Sequence, residues 1–196
     1  MKRSYDRVYQ FKVTVSDITP RIWRRVQVPE TYTFWDLNVA IWDLMKWGGH
    51  HLHQFTILNP KTGIKDCIGI PDPLLKRDIL TGWEHDIAAY FSMENRRAEY
   101  LYDFGDEWDH AILLEKILPR ESGKEYPCCI AGKRNSPPDD VGSVSGYEEF
   151  CAIMKDPRHP EHKAKVKWYD GEYDPEAFDC NNVLFFDPAD LLELLL

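Results

Sequence analysis

The stretch TFWDLNVAIWDLMKW, residues 33–47, decides how the rest of the chain is interpreted. Its apolar residues recur at spacings of three and four, which is typical of a helix that buries one face: Phe34, Leu37, Ile41, Leu44 and Met45. Thr33 precedes them and Asp36 follows three positions later, so the pair predicts a capping box at the helix start. The glycines at 48 and 49 predict a left-handed stop. This stretch therefore predicts one amphipathic helix packed against a core.

Segments on both sides of this helix alternate apolar and polar residues, which predicts strands. Residues 5–15 and 22–28 precede the helix and are expected to form a hairpin. Four further strands are predicted after it, at 51–58, 64–70, 98–102 and 108–118. Residues 103–107, Asp-Phe-Gly-Asp-Glu, predict a tight turn, in which we expect a positive φ at Gly105.

The last part of the chain has a different composition. Residues 119–145 are rich in Pro, Gly and Ser and predict a long loop, and short helices are predicted at about 146–155, 160–169 and 188–194. Strands first and helices last are typical of an α+β fold. We predict one domain over 1–196: a strand-rich core at about 1–118, the loop, and a helical part at 146–196. The sheet is expected to be mostly antiparallel, with the amphipathic helix packed on it and a C-terminal helical segment.

Composition indicates a globular protein in the cytoplasm. Of the 196 residues, 43% are hydrophobic and 13% aromatic, which excludes a disordered chain. The charged N-terminus has no apolar segment behind it, so no secretory signal is expected. No apolar run approaches the roughly 18 residues of a membrane span, so we expect no membrane association. The five cysteines form no Cys-x-x-Cys pair, which indicates reduced thiols.

The net charge of −9 is unevenly distributed. Residues 1–28 hold seven basic and two acidic side chains, whereas residues 169–196 hold eight acidic ones and no basic one. One interpretation is a pair of solvated faces that attract each other weakly. The other is a basic, phosphate-facing strand pair beside an acidic flank. The overall acidity argues against a dedicated binder of duplex nucleic acid.

The segment His50-His51-Leu52-His53 is a candidate metal-ligand site. On a strand, His51 and His53 would share one face and Leu52 would point to the core. Two imidazoles so placed suit Zn, Cu, Fe or Ni. His110 would complete a three-histidine face if its strand neighbours theirs. The alternative is that these histidines are surface groups or ordinary hydrogen-bonding partners.

Two acidic residues of the predicted turn, Asp103 and Asp106, have competing interpretations. They can accept hydrogen bonds from the amides of their own turn. They can also supply oxygen ligands, or a general base beside His110. Cys128 is similarly open, as a nucleophile or thiolate ligand, or as a small buried apolar residue.

Arg21, Arg24 and Arg25 stand beside Trp23, and we expect this arginine set to be exposed. Arginine and tryptophan are enriched at interface hot spots. By contrast, the sequence has no Walker loop, Rossmann glycine fingerprint, Gly-x-Ser-x-Gly elbow, His-Glu-x-x-His motif or zinc-finger spacing.

Together these segments are similar to the plasmid pRiA4b ORF-3-like family. The resemblance covers nearly the whole chain and is carried by these segments: residues 9–15, Ile22 to Arg25, Val28-Pro29, Trp47, His51 to Phe55, Tyr102 to His110, Pro137 to Asp140, Gly146-Tyr147, Asp156-Pro157, His159-Pro160 and Asp174 to Asp179. It implies a single α+β domain from prokaryotic genomes, plasmids and insertion elements. It implies no activity, and no serine-recombinase pattern supports the resolvase-like label given to some members.

The leading hypothesis is a non-catalytic binding module that recognises a protein or nucleic acid partner. Its candidate binding residues are His51, His53, Asp103, Asp106, His110, Arg21, Arg24 and Arg25. The alternative is a metal-dependent hydrolase-like enzyme that uses the His/Asp cluster. The sequence leaves open whether the protein is an enzyme, and it identifies no cofactor, metal or oligomeric state.

Overall fold

The structure, a computed structural model, describes residues 4–72 and 78–196. Its strands are β1 (Arg7–Val15), β2 (Trp23–Pro29), β3 (His53–Leu58), β4 (Lys65–Gly69), β5 (Leu80–Thr81), β6 (Arg97–Tyr102), β7 (Trp108–Pro119) and β8 (Cys128–Lys133). Its α-helices are α1 (Phe34–Met45), α2 (Ser143–Lys155), α3 (His162–Tyr169) and α4 (Pro188–Leu195). Single 3-10 turns lie at Gly82–Glu84, Ile87–Ala89 and Cys180–Asn182. Met1 to Arg3, part of the predicted basic segment, lie outside the described residues.

The strands of these two ranges form one eight-stranded sheet in the order β5-β4-β3-β6-β7-β1-β2-β8. Each neighbouring pair is antiparallel except β4 and β5. The hairpin β1–β2 and the hairpin β6–β7 lie side by side, because β1 also pairs with β7. The predicted α+β fold with a mostly antiparallel sheet is confirmed.

Helix α1 is the packed helix that the sequence predicts. The Thr33 side chain accepts a hydrogen bond from the Asp36 amide, and the Asp36 side chain accepts one from the Thr33 amide. This reciprocal pair is the predicted capping box. The stop differs from the prediction, because Lys46 takes the left-handed conformation at φ 58° before either glycine is reached. A lysine can occupy this conformation when packing of the helix fixes it there.

One face of the sheet is buried against α1 and the other is open. Along β6, Ala98, Tyr100 and Tyr102 are buried in the core, while Arg97 and Glu99 are exposed. Strand β7 alternates in the same way. Antiparallel sheets commonly keep one solvated face, and the outward-facing residues of β6 and β7 lie on that face.

Residues 128–133 correct the sequence prediction. They form β8, which pairs antiparallel with β2, whereas the sequence predicted a loop over 119–145. The register shifts between Arg25 and Val26. Because the pairing partner lies about a hundred positions earlier in the chain, no local pattern reveals this strand.

The buried guanidinium of Arg24 joins four parts of the structure. Its Nε donates to the Leu44 carbonyl at the end of α1 (3.0 Å), and its Nη1 donates to the Trp23 and Lys133 carbonyls (3.0 and 3.1 Å). Its Nη2 donates to Ser136 Oγ at 2.7 Å. Burial lowers the pKa of Arg24 to about 10, so the group remains charged at neutral pH.

An aromatic ring covers this cation. The centroid of Phe178 lies 3.9 Å from the Arg24 Cζ, in cation–π geometry. A Cβ at Gly132 of β8 would stand 2.3 Å from the Phe178 ring. A larger residue at position 132 would therefore displace the Phe178 ring from its place over Arg24.

None of the helices in residues 4–72 and 78–196 combines the length and the apolarity that crossing a bilayer requires.

Truncating the buried face of α1 should destabilise the protein. Leu37 and Ile41 are fully buried, so Leu37→Ala and Ile41→Ala should each lower the free energy of unfolding by about 2–5 kcal/mol. Urea denaturation measures this loss. A loss below about 0.5 kcal/mol for both variants, the level of an ordinary surface substitution, would contradict the packing of α1.

Removing the Arg24 guanidinium should also be costly. Arg24→Met leaves buried acceptors without donors, so we expect the free energy of unfolding to fall by more than about 2 kcal/mol. Arg24→Lys should restore only part of it, because one ammonium cannot span the planar array of acceptors. The matched control is Arg21→Met at an exposed neighbour, expected within about 0.5 kcal/mol of the parent protein. Equal denaturation midpoints for the Met variants at 21 and 24 would show that the network contributes little.

Candidate functional site

Three segments that are distant in the sequence meet at one end of the sheet. They are the loop after α1 that carries His51, the 103–107 turn between β6 and β7, and the 137–142 segment that leads into α2. Asp106 Oδ2 accepts a hydrogen bond from the Gly142 amide at 2.9 Å, which ties the second segment to the third. Polar side chains from all three segments are therefore held together.

The centre of this end is the imidazole of His51. Its Nε2 lies 3.0 Å from Asp140 Oδ1 and 4.0 Å from Asp139 Oδ1, and its Nδ1 lies 3.6 Å from Asp103 Oδ2. The side chains of His51 and Asp103 are largely enclosed, whereas that of Asp140 is 71% exposed. We call His51, Asp103 and Asp140 the His51 cluster. One ligand atom from each of the three lies within 4.8 Å of the other two.

Backbone contacts fix two of the carboxylates near His51. Asp103 Oδ1 accepts a hydrogen bond from the Gly105 amide at 2.8 Å. Asp139 Oδ2 accepts one from the Gly48 amide at 2.9 Å, and its Oδ1 accepts one from the Tyr102 hydroxyl at 3.4 Å. One oxygen of Asp103 thus accepts a hydrogen bond within its own turn, as the first interpretation expected, and the other faces His51.

Strained backbone accompanies the cluster. Asp103 and Asp140 have φ of 58° each, in the left-handed region that aspartate enters more readily than most residues. Residues held in such regions persist where the surrounding structure determines them, and they concentrate at functional sites.

A stacked pair of aromatic rings contacts the segments that carry the cluster. The Trp47 and Tyr102 rings lie parallel with centroids 4.5 Å apart, and the Trp47 indole donates to the Pro137 carbonyl at 3.0 Å. Tyr102 precedes Asp103, and Pro137 belongs to the segment of Asp140. A rigid aromatic pair therefore sets the positions of two of the three segments.

The predicted three-histidine face does not form. His51 precedes β3 and is partly exposed, whereas His53 and His110 are buried at 1% and 2% exposure. Strand β6 also separates the strands of His53 and His110. The expectation that Leu52 faces the core is wrong, because the strand parity turns His53 inward with Phe55.

The two buried histidines are neutral groups of the core. Burial lowers the pKa of His53 to about 3 and that of His110 to about 4. His110 Nδ1 lies 2.8 Å from the Trp108 carbonyl and therefore carries the proton. Within the described part of the chain, His110 Nε2 and both nitrogens of His53 have no hydrogen-bond partner.

The three arginines of the predicted set differ in burial and in their contacts. Arg24 is buried at 1% exposure, so the expectation that it is exposed is wrong. Arg25 lies on the open face and forms an ion pair with Glu115, 2.6 Å from Nε to Oε2. Arg21 is exposed.

Two further expectations are corrected or weakened. Gly105 has no positive φ; the left-handed positions of its turn are Asp103 and Glu107, while Gly63 is left-handed at φ 73°. Burial raises the pKa of the Cys128 thiol, which favours the protonated form over the nucleophilic thiolate.

A second surface, the open face of the sheet, was only partly visible in the sequence. Trp23 is its central aromatic residue, with Lys12 Nζ 4.9 Å and Arg25 Cζ 5.2 Å from the ring centroid. We define the open face by its outward-facing residues on four adjacent strands: Arg97 and Glu99 of β6, Asp109, Ala111 and Leu113 of β7, Lys12 and Thr14 of β1, and Trp23 and Arg25 of β2.

The open face has a basic row and an acidic end. Pairing aligns Arg25 with Lys12, Leu113 and Arg97, and it aligns Trp23 with Thr14, Ala111 and Glu99. A shallow hollow of about 340 Å³ opens beside the second row, lined by Ser16, Asp17, Glu99, Asp109, His110 and Ala111. Burial and the carboxylates of Asp17, Glu107 and Glu99 raise the pKa of Asp109, so this end has excess negative charge.

The site residues predicted from the sequence did not include Asp139 and Asp140, nor Lys12, Glu99 and Asp109 of the open face. The Pro-Pro-Asp-Asp run was visible, but its meeting with His51 depends on contacts about 90 positions apart. Strand parity did contain a signal for the open face, since Lys12 and Thr14 alternate with the core residues Phe11, Val13 and Val15.

Comparison with known proteins gives consistent matches without an assigned function. Residues 7–182 match the family described as plasmid pRiA4b ORF-3-like protein. Among curated proteins, the uncharacterized protein y4hQ of Sinorhizobium fredii is 32% identical over 171 residues, covering 87% of this chain and 85% of that protein. Among solved structures, the crystal structure of MM3350, a protein of unknown function from Methanosarcina mazei Go1, matches with a TM-score of 0.86 and 46% identity. That match covers 93% of this chain and 100% of the other.

The buried imidazole of His110 should make stability depend on pH. An unfolded histidine binds its proton at about pH 6.5, but folded His110 does so only at about pH 4. Between these values the unfolded state binds more protons, so stability falls as the pH drops, by about 1.4 kcal/mol per pH unit for this group. His110→Asn keeps a side-chain N–H but removes the titrating ring. It should therefore reduce the slope of unfolding free energy against pH by the contribution of one proton, about 1.4 kcal/mol per pH unit. Urea unfolding between pH 4.5 and 6.5 measures it, and equal slopes would contradict the assignment.

Proposed function

The chain belongs to the plasmid pRiA4b ORF-3-like family, and we propose that it is a non-catalytic binding module that recognises a protein partner through the open face of its sheet. The supporting observation is the juxtaposition on this face of Trp23, two cations beside its ring and an acidic hollow. Tryptophan and arginine are the residues most often found at the energetic centre of interfaces. The small side chains of Thr14 and Ala111 leave room for a partner between Trp23 and Glu99.

Charge favours a protein over a nucleic acid as the partner. The basic row alone would attract phosphates, but Arg25 is already neutralised by Glu115. Asp17, Glu99 and Asp109 stand in the adjoining hollow and would repel a phosphate backbone, which demands a predominantly basic surface. A protein can present basic side chains to the hollow and apolar or acidic groups to the Trp23 end. Such complementarity determines register and the choice of partner.

We place this binding in the cytoplasm. The five cysteines are all free thiols, which fits a reducing compartment. Carriage of the gene on a mobile element, implied by the family resemblance, stays a prediction.

Metal-dependent hydrolysis is the second candidate, and one observation favours it. Among residues 4–72 and 78–196, His51, Asp103 and Asp140 form the group that lies close enough together to hold a metal ion, whereas His53 and His110 are enclosed in the core. An enzyme of this class would therefore use one histidine and carboxylates rather than three histidines.

Blocking the open face should weaken partner binding without unfolding the protein. Ala111→Arg places a bulky cation at the exposed centre of the face. The matched control is Ala164→Arg on the exposed surface of α3. Proteins that the parent chain and the control capture from cell extract, and that Ala111→Arg does not, are identified, purified and titrated by calorimetry. We expect Ala111→Arg and Trp23→Ala each to weaken binding at least about 30-fold, the equivalent of a hot-spot loss of 2 kcal/mol.

Two outcomes would contradict this proposal. The first is that every purified partner binds Ala111→Arg as tightly as it binds the parent chain. The second is tight binding of a 12-nucleotide single-stranded oligonucleotide, measured by fluorescence anisotropy, that Trp23→Ala removes and added salt weakens. The second result would make the open face a nucleic acid surface.

A further inference from the structure

We propose that the His51 cluster is a binding site for a divalent transition-metal ion of the zinc class, with His51, Asp103 and Asp140 as its protein ligands. This inference does not rest on the proposed partner binding, because the cluster belongs to the loops at the end of the sheet and the partner surface is its open face. It names the ion and the ligands that the second candidate, metal-dependent hydrolysis, would need.

The distances fit an ion after the side chains rotate, because Asp140 now approaches Nε2 of His51 and Asp103 approaches Nδ1. Zinc binds imidazole nitrogen and carboxylate oxygen at about 2.0–2.2 Å, which puts tetrahedral ligand atoms about 3.3 Å apart. Here His51 Nε2 and Asp140 Oδ1 are 3.0 Å apart, and one ligand atom of each of the three residues lies within 4.8 Å of the others. The Asp140 side chain is the most exposed of the three, so it can rotate to complete the set.

The charge at this point is not balanced by the protein. Asp103, Asp139 and Asp140 face a single imidazole. Across residues 4–72 and 78–196, neither lysine nor arginine forms an ion pair with any of these three carboxylates. Even a protonated His51 would leave two negative charges. A divalent cation would neutralise them, and it would replace the carboxylate contacts of the imidazole with a metal–nitrogen bond.

The donor set favours a transition ion over calcium or magnesium. Calcium takes six to eight oxygen ligands and magnesium prefers carboxylates with several waters, whereas imidazole suits zinc and its neighbours. Three protein ligands leave a fourth position of a tetrahedral ion for water or a partner group. Asp139 has both oxygens engaged with Gly48 and Tyr102, so it holds the loop beside the ion rather than adding a ligand.

The ion would connect three loop segments that lie far apart in the sequence. Those segments are now connected by hydrogen bonds such as the Asp106–Gly142 and Asp139–Gly48 contacts. Since the unfolded chain cannot gather the three ligands, binding would stabilise the fold by mass action.

The test is a zinc titration of the full chain, purified without a histidine tag and treated with chelator. We expect one zinc ion per chain by calorimetry, an increase in melting temperature, and weaker binding on acidification because protons compete for the ligands. His51→Gln, Asp103→Asn and Asp140→Asn should each weaken binding at least about tenfold. His50→Gln and Asp190→Asn, at exposed positions outside the cluster, should bind as the parent chain does.

A spectroscopic readout separates the loss of a ligand from the loss of the fold. Cobalt(II) in a tetrahedral protein site absorbs visible light, and this band should be absent in Asp140→Asn, whose far-ultraviolet circular dichroism should equal that of the parent chain. Failure of the parent chain to bind zinc overturns the proposal. So does zinc binding that the three variants leave unchanged, or magnesium binding of equal strength in the parent chain and His51→Gln.

Discussion

Arg24 brings a positive charge into a region where neutral oxygen atoms and an aromatic ring, rather than a carboxylate, surround it. A buried charge is tolerated only when its hydrogen-bonding capacity is used. The guanidinium meets this condition by drawing in the last turn of α1, the edge strand β8, Ser136 and Phe178. The carbonyl of Leu44 is one of the acceptors that a helix end leaves unpaired, and the helix dipole there favours a cation. The positions of β8 and of the segment leading to Asp140 thus depend on this one side chain.

The same residue shows what could be predicted from the sequence and why the rest could not. Structural features that depend on local sequence patterns could be predicted. They include the buried face of α1, its capping box and the β6–β7 hairpin. Strand parity also indicated burial: Arg24, Val26 and Val28 share one side of β2, and His53 shares a side of β3 with Phe55 and Ile57. Polarity argued for exposure at these positions, and parity argued correctly for burial. Strand β8 and the meeting of His51 with Asp140 depend on long-range contacts, for which no local pattern exists.

The open face and the His51 cluster are built on different kinds of backbone, regular strands in the first case and loops in the second. The open face is built on regular strands, so its side chains stand in rows whose spacing is fixed by the register. The His51 cluster is built on loops, so it needs the Trp47–Tyr102 stack, the backbone-bonded aspartates and the left-handed Asp103 to gain comparable order. The sheet thus offers a broad surface of regularly spaced side chains, whereas the loops bring a few side chains together at one point.

The two edge strands of the sheet affect how readily the protein can aggregate. An unpaired strand edge is a template on which other chains can add and aggregate. At one end, β5 offers only two residues, Leu80 and Thr81, to such pairing. At the other end, the irregular β8 covers the edge of β2, and Phe178 lies against Gly132 of β8. Detachment of β8 would expose the unpaired N–H and C=O groups of β2, including those of Val26 and Val28, to pairing with other chains. The closure over Arg24 therefore protects solubility as well as fold.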